Sequence, residues 1–257
     1  VNAQARITAF QTILIREIRR FTRIWPQTLL PPAVTMTLYF IIFGNLIGPR
    51  IGEMGGFDYM AFIVPGLIMM AVITNSYSNV VSSFFSMKFQ RSVEELLVSP
   101  IPDWIILAGY VCGGMARGLS IGVIVTLLSL GFTDLNINNL WLVIVTVVLT
   151  SALFSIGGFI NAMLATKFDD VSIVPVFVLT PLTYLGGVFY SVDLLSDFWY
   201  MVSMANPILY MVNAFRYGIL GVSDVNVYVS LGMIVLFIAA LSCIALRMLK
   251  KGKGIRH

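Results

Sequence analysis

Residues 171–221 read VSIVPVFVLTPLTYLGGVFYSVDLLSDFWYMVSMANPILYMVNAFRYGILG, and the fold turns on how this stretch is divided. Its first part, 171–192, carries no charge and is long enough to cross a bilayer, because about 20 apolar residues at about 1.5 Å each cover the hydrocarbon core. Pro175 and Pro181 sit inside it. Each frees a backbone carbonyl that lipid cannot satisfy, so the helix is expected to pack among others or to line a cavity. After Asp193 and Asp197 comes a second uncharged run, 198–215, which Asn206-Pro207 divides into pieces too short to span. Residues 193–221 therefore read as a broken helical pair that dips into the outer leaflet and returns to the same side.

Composition agrees with a polytopic membrane protein. Of 257 residues 58% are hydrophobic and 11% charged, and the mean hydropathy is +0.93, far outside soluble-globular averages. The formal charge of +4 comes from clusters beside apolar runs, which suits anionic headgroups. With no basic groove interleaved with aromatics, nucleic acid is not an expected partner. Cys112 and Cys243 lie within apolar runs and read as small buried residues, and the lone histidine, His257, has no second ligand beside it. No metal site is expected.

Around the opening stretch the rest of the chain supplies five more spans, near 26–46, 59–85, 104–131, 138–163 and 226–247, for six in all. Ahead of them, residues 5–23 form an amphipathic helix expected to lie in the membrane interface. Ile7, Phe10, Leu14, Ile18 and Phe21 make its apolar face, and Arg16, Arg19, Arg20 and Arg23 project on the other. No apolar segment precedes a small-residue cleavage site, so this helix does not read as a signal peptide. Counted at span ends, one side receives Arg6, Arg16, Arg19, Arg20, Arg23, Lys88, Arg91, Lys167, Arg247, Lys250, Lys251, Lys253 and Arg256, and the other only Arg50 and Arg216. The asymmetry places both termini in the cytoplasm.

Between the second and third spans lies KFQRSVEELLVSPIP. Residues 88–99 read as one short helix, with Phe89, Val93, Leu96 and Leu97 on its apolar face, Lys88, Arg91, Glu94 and Glu95 around it, and Pro100 and Pro102 as its stop. Such a helix either docks on a partner or rests on its own bundle or on headgroups. The loop ATKFDDVS, from 165 to 172, is shorter, and Asp170 sits where it caps the fifth span.

Taken together, the proline, PLTYLGG, the aromatic and acidic turn, the broken pair with NP, and FRYG before a final span resemble the membrane subunit of bacterial type-2 ABC exporters. The likeness covers essentially the whole chain as a single transmembrane domain, 1–257. It implies an all-α fold of six spans with the interfacial helix, a cytoplasmic coupling helix at 88–99 and the re-entrant pair. It further implies an inner-membrane homodimer, two permeases with two ABC ATPase subunits. Phe89, Arg91, Val93, Glu94, Glu95, Leu96 and Leu97 would meet the ATPase, which binds ATP and Mg; this chain needs no cofactor of its own and is not an enzyme.

The charge inventory points the same way. All twelve acids, Glu17, Glu53, Asp58, Glu94, Glu95, Asp103, Asp134, Asp169, Asp170, Asp193, Asp197 and Asp224, fall outside or at the edges of the expected spans. An ion-driven carrier usually keeps an ionisable group at depth, and a chain that hydrolyses ATP usually carries GxxxxGK[ST]. Neither is present, which counts against a stand-alone channel or carrier and implies a separate ATPase. A lipid-modifying enzyme would need converging polar catalysts, and the spans offer none.

Candidate path residues are Asn75, Asn79 and Ser82, which continue to Ser86 as a polar stripe on the second span. Interhelical hydrogen bonding and a path role are both open for them. Asn45, Thr180, Thr183 and Tyr184 join them because the resemblance puts the first, second and fifth spans around the dimer axis. Arg117 is expected to snorkel to the headgroups, the alternative being a path role for an anionic group. Gly109, Gly113, Gly114, Gly118 and Gly122 beside it read first as a packing seam. The expected cargo is an amphiphile, either a drug-like compound or a lipid, with a polysaccharide or lipid-linked glycan as the alternative. Phe189, Tyr190, Trp199, Tyr200 and Tyr217 would suit sugar stacking or an interfacial belt equally.

Overall fold

The computed structural model describes residues 2–252, with the side chain of Leu97 outside the described set. Val1, Lys253, Arg256 and His257 therefore lie outside the described residues. Among the described residues six helices are long and apolar enough to cross a membrane: Trp25–Ile51, Tyr59–Phe89, Asp103–Ser129, Leu140–Leu164, Phe168–Leu185 and Val227–Lys251. The fold is helical but for one departure, a two-residue antiparallel ladder pairing Glu53–Met54 with Phe57–Asp58. It closes a turn through Gly55 and Gly56, both at positive φ, between the first two spans.

Short polar side chains start the helices. Asp58 accepts from the Met60 amide at 3.1 Å, Asn139 from Leu142 at 3.1 Å and Asn226 from Tyr228 at 2.9 Å, capping the second, fourth and sixth spans. Asp170 does the same for the fifth, taking the amides of Thr166 and Lys167 at 2.8 and 2.9 Å.

The second span is the centre of the bundle, buried along most of its length, while the first and fifth leave most of their surface open. Small residues let the neighbours close on it. The glycine row of the third span divides among its neighbours: Gly109 and Gly113 face Ile13 and Glu17 of the N-terminal helix, Gly118 and Gly122 face Ser76 and Val72 of the second span, and Gly114 faces both Val80 of the second span and Ser155 of the fourth. On the fourth span a Cβ at Gly158 would stand 2.5 Å from the Tyr77 carbonyl oxygen, whereas one at Gly157 would meet only the Tyr77 ring at 3.8 Å. Gly158→Ala is therefore expected to destabilise by about 1–3 kcal/mol as backbone is forced from backbone. Gly157→Ala is expected to gain about 0.5–1 kcal/mol from helix propensity. Thermal unfolding of the two purified variants checks the opposite signs.

The fifth span satisfies one proline-freed carbonyl as its sequence requires. Pro175 leaves the Val171 carbonyl without a partner one turn earlier, and Asn161 of the fourth span donates to it at 3.2 Å. From Pro175 to Leu179 the helix widens into a π-type turn, as the first span does from Phe40 to Ile47.

The span ends at Leu185, earlier than the 192 read from hydropathy. Gly187 turns to φ +69°, and the terminal carbonyls go elsewhere: Leu182 accepts from Asn206 and Gly187 from Arg216, each at 2.6 Å. The broken pair follows as Asp197–Met204 and Pro207–Leu220, which Gly221 ends at φ +77°. The Asp224 carboxylate accepts from the Ser191 hydroxyl and the Val192 amide, both at 3.0 Å, so the chain leaves this segment beside the point where it begins.

Between the second and third spans the structure corrects the sequence reading. Lys88 and Phe89 are the last turn of the second span, Arg91 adopts φ +60°, and the separate helix is only Val93–Val98. A left-handed residue cannot continue a right-handed helix, so 88–99 is two pieces rather than one.

Candidate functional site

Candidate function is spread over a polar seam, an exposed pair of spans and a cytoplasmic surface. The seam forms where the N-terminal helix, Ala3–Arg23, lies against the second and third spans. Its buried face is Ile13, Glu17 and Phe21 rather than the row ending in Phe21 that periodicity picks, and Ile7 is exposed. Glu17 is wholly buried, so one of the twelve acids lies inside the bundle after all. Its carboxylate accepts from the Ser83 hydroxyl at 2.6 Å and pairs with Arg16 at 3.3 Å and Arg20 at 3.5 Å. Arg16 also donates to the Tyr110 hydroxyl at 2.5 Å.

This contact gathers the polar stripe of the second span. Arg20 donates to the side-chain oxygen of Asn79 at 2.9 Å, to its carbonyl at 2.8 Å and to Ser82 at 3.4 Å. Arg117 reaches Asn75 at 3.3 Å and the Thr28 carbonyl at 3.2 Å. Its guanidinium therefore lies between the second span and the start of the first. The carbonyl at Thr28 is free for this because Pro32, four residues on, has no N–H to donate to it. Asn75, Asn79 and Ser82 thus meet guanidinium groups from two neighbouring helices.

The other path candidates are elsewhere. Asn45, Thr180 and Tyr184 are exposed on the first and fifth spans, whereas Thr183 is buried and donates to the Leu179 carbonyl at 2.7 Å. Thr180 donates to the Pro175 carbonyl across the π-type turn at 2.9 Å. Phe189 joins the two spans: its ring lies 4.8 Å from Phe43, 6.2 Å from Tyr39 and 5.7 Å from Tyr184. Sequence reasoning singled out Tyr184 and Phe189 but not their partners Tyr39 and Phe43, which lie in an apolar run that offers no polar signal.

Arg216, counted from the sequence on the outer side within the re-entrant pair, is wholly buried. It donates to Gly187, lies 4.0 Å over the Phe62 ring, and leaves Nε and Nη1 without a partner. A count of arginines by side gives no warning of this, because the reason is the folding-back of the helix that carries it.

At the opposite end, Lys88 donates to the carbonyls of Met163 and Ala165 at 2.7 and 2.5 Å, tying the end of the second span to the 165–167 loop. The Phe89 ring lies 4.7 Å from that of Phe168, tilted by 58°, and both rings are exposed. Val93 is buried, Leu96 packs on the core, and Arg91, Glu94 and Glu95 face outward. The structure therefore splits the expected apolar face: Val93 and Leu96 turn inward while Phe89 stays open.

Residues 8–220 match the ABC-2 type transporter family model. The chain belongs to this family. The permease is 58% identical over 248 residues to the inner membrane transport permease YadH of Escherichia coli K12, covering 96% of this chain and 97% of the relative. It is 22% identical over 241 residues to nodulation protein J of Neorhizobium galegae, covering 92% of this chain and 90% of the relative. Like the relatives it resembles, this ABC-2 permease is an integral membrane transport protein.

Proposed function

We propose that this permease is the membrane half of an ATP-driven exporter in the bacterial inner membrane, with both termini cytoplasmic. Two copies pair along the first and fifth spans and each carries one ABC ATPase. The supporting observation is that these two spans are the least buried, yet hold exposed Asn45 and Thr180 and two π-type turns. Polar groups and irregular backbone are costly against lipid and acceptable against a partner or a wet path. ATP and Mg belong to the partner, and the residues of the cytoplasmic end transmit its closure to the spans. The N-terminal helix lies in the interface, and 193–221 is the re-entrant outer-leaflet pair.

The cargo is an amphiphile, drug-like or lipid, moved by alternating access. One observation favours a glycan or lipid-linked glycan as a second reading: the Tyr39, Phe43, Tyr184 and Phe189 rings between the two open spans offer stacking faces.

Coupling is tested by pull-down in mild detergent. Glu94, Glu95 and Val98 are exposed and Val98 is 84% so, which makes them better probes than Leu96, whose change would disturb the core. An ATPase is expected to co-purify in equal stoichiometry with wild type and to be lost from Glu95→Arg/Val98→Asp. Wild type emerging folded, dimeric and alone would return the carrier or channel reading to the front.

A further inference from the structure

We infer that the seam between the N-terminal helix and the second span is a binding site for the anionic headgroup of an amphiphile, formed by Arg20, Asn79, Asn75 and Arg117. The inference deepens the proposed function by giving the cargo a charge, and it rests on that reading only for the step from binding to transport.

Three guanidiniums, Arg16, Arg20 and Arg117, converge on the two stripe residues and their neighbours, and Glu17 is the single carboxylate that pairs with any of them among the described residues. Asn75 and Asn79 are four residues apart, so the guanidiniums of Arg117 and Arg20 are held about 6 Å apart along the helix axis. Two like charges at that spacing, one of them largely buried, repel one another.

The hydrogen-bond count says what is missing. The Asn79 side chain is 0% exposed, and its amide nitrogen has no acceptor. Neither the Arg20 Nε nor the Arg117 Nε has one, although both are buried. The unpartnered groups are all donors and the surplus charge is positive, so the ligand that completes the seam is an acceptor-rich anion. Phosphate fits, since it takes several N–H donors and pairs with guanidinium in a fork.

Position selects a headgroup over a deeply inserted ion. The second span, at 31 residues, is about 46 Å long against a hydrocarbon core of about 30 Å, and Asn79 lies about 15 Å from its cytoplasmic end. That level is just inside the inner-leaflet boundary. The Arg20 side chain is 33% exposed, so the seam is not sealed. A phosphate drawn a short way in from the leaflet would meet the Arg20 guanidinium first, with that of Arg117 about 6 Å beyond it, while its tail stayed among the lipids.

The test measures binding to the purified full-length chain of three probes: dioctanoyl phosphatidylglycerol, dioctanoyl phosphatidylcholine and inorganic phosphate. Wild type is expected to bind the glycerol lipid at least tenfold more tightly than the choline lipid. Arg20→Gln/Arg117→Gln is expected to weaken that binding at least tenfold, with Arg19→Gln on the exposed face as a control. Competition by inorganic phosphate would support the site as a pocket for the anion alone, and no competition would support one that needs the tail.

Asn79→Asp guards against misfolding of the double variant, because a carboxylate among the orphan donors should raise the unfolding temperature while abolishing preference for the anionic lipid. Equal binding of both lipids by wild type, or unchanged binding by a folded double variant or by Asn79→Asp, overturns the inference. ATPase co-purification by the same variants is expected to remain at wild-type level, so failure here is distinct from failure of the exporter reading.

Discussion

Arg216→Ala is expected to destabilise the purified permease by about 3 kcal/mol, since it removes a charge-assisted hydrogen bond to Gly187 and a desolvated contact with the Phe62 ring. The contacts join three parts of the outer end: the turn that closes the fifth span, the second span, and the folded-back helix Pro207–Leu220. The region has little slack. A Cβ at Gly66 would lie 2.6 Å from the Val188 carbonyl, so the residues after Gly187 are wedged against the second span. Arg216→Met is the informative comparison. It fills most of the volume and removes a buried charge with two orphan donors, so it is expected to recover a large part of the loss. Thermal unfolding of both variants in one detergent measures the difference. Equal losses would mean that the charge, and not the packing, holds the outer end together.

The second large effect is expected at Glu17. Removing a buried partner of an ion pair costs about 3–5 kcal/mol, and Glu17→Ala should fall near the lower end because Arg16 and Arg20 remain partly in water. Three guanidiniums would then share the seam without a carboxylate, and the Ser83 hydroxyl would lose its acceptor. Glu17→Gln keeps that hydrogen bond and the volume but not the charge, so it is expected to lose less than the alanine variant. Thermal unfolding provides the comparison, and limited proteolysis ahead of Trp25 checks that the N-terminal helix is what comes loose. A Glu17→Ala protein as stable as wild type would show that this helix is held by Ile13 and Phe21 alone.

Much of the architecture was readable from the chain. The six spans follow from apolar length, although hydropathy set the fourth and sixth at 138 and 226, where Asn139 and Asn226 cap helices that begin at Leu140 and Val227. The Asn206-Pro207 break and the Asp170 cap are local chemistry, legible for the same reason. Site residues were legible only as types. The stripe Asn75, Asn79, Ser82 was visible as polar groups that need partners, but the partners, Arg20 and Arg117, stand 59 and 42 positions away. Periodicity also chose the wrong face for the N-terminal helix, because it ranks Glu17 as solvent-facing and has no means of knowing that Gly113 leaves room for it.

By itself the sequence determined which segments enter a membrane, where their helices begin and where prolines interrupt them, because these depend on burial in lipid and on bonds within one turn. Its resemblance to type-2 ABC exporters was legible on the same local motifs, and the family match is consistent with it. Only the tertiary structure decided which way the charged side chains turn. Arg117 lies between the first two spans, Arg216 is enclosed and Glu17 is buried because partners from distant helices meet them there, and the cost of desolvating a charge is decided by those neighbours rather than by the residues beside it in the chain.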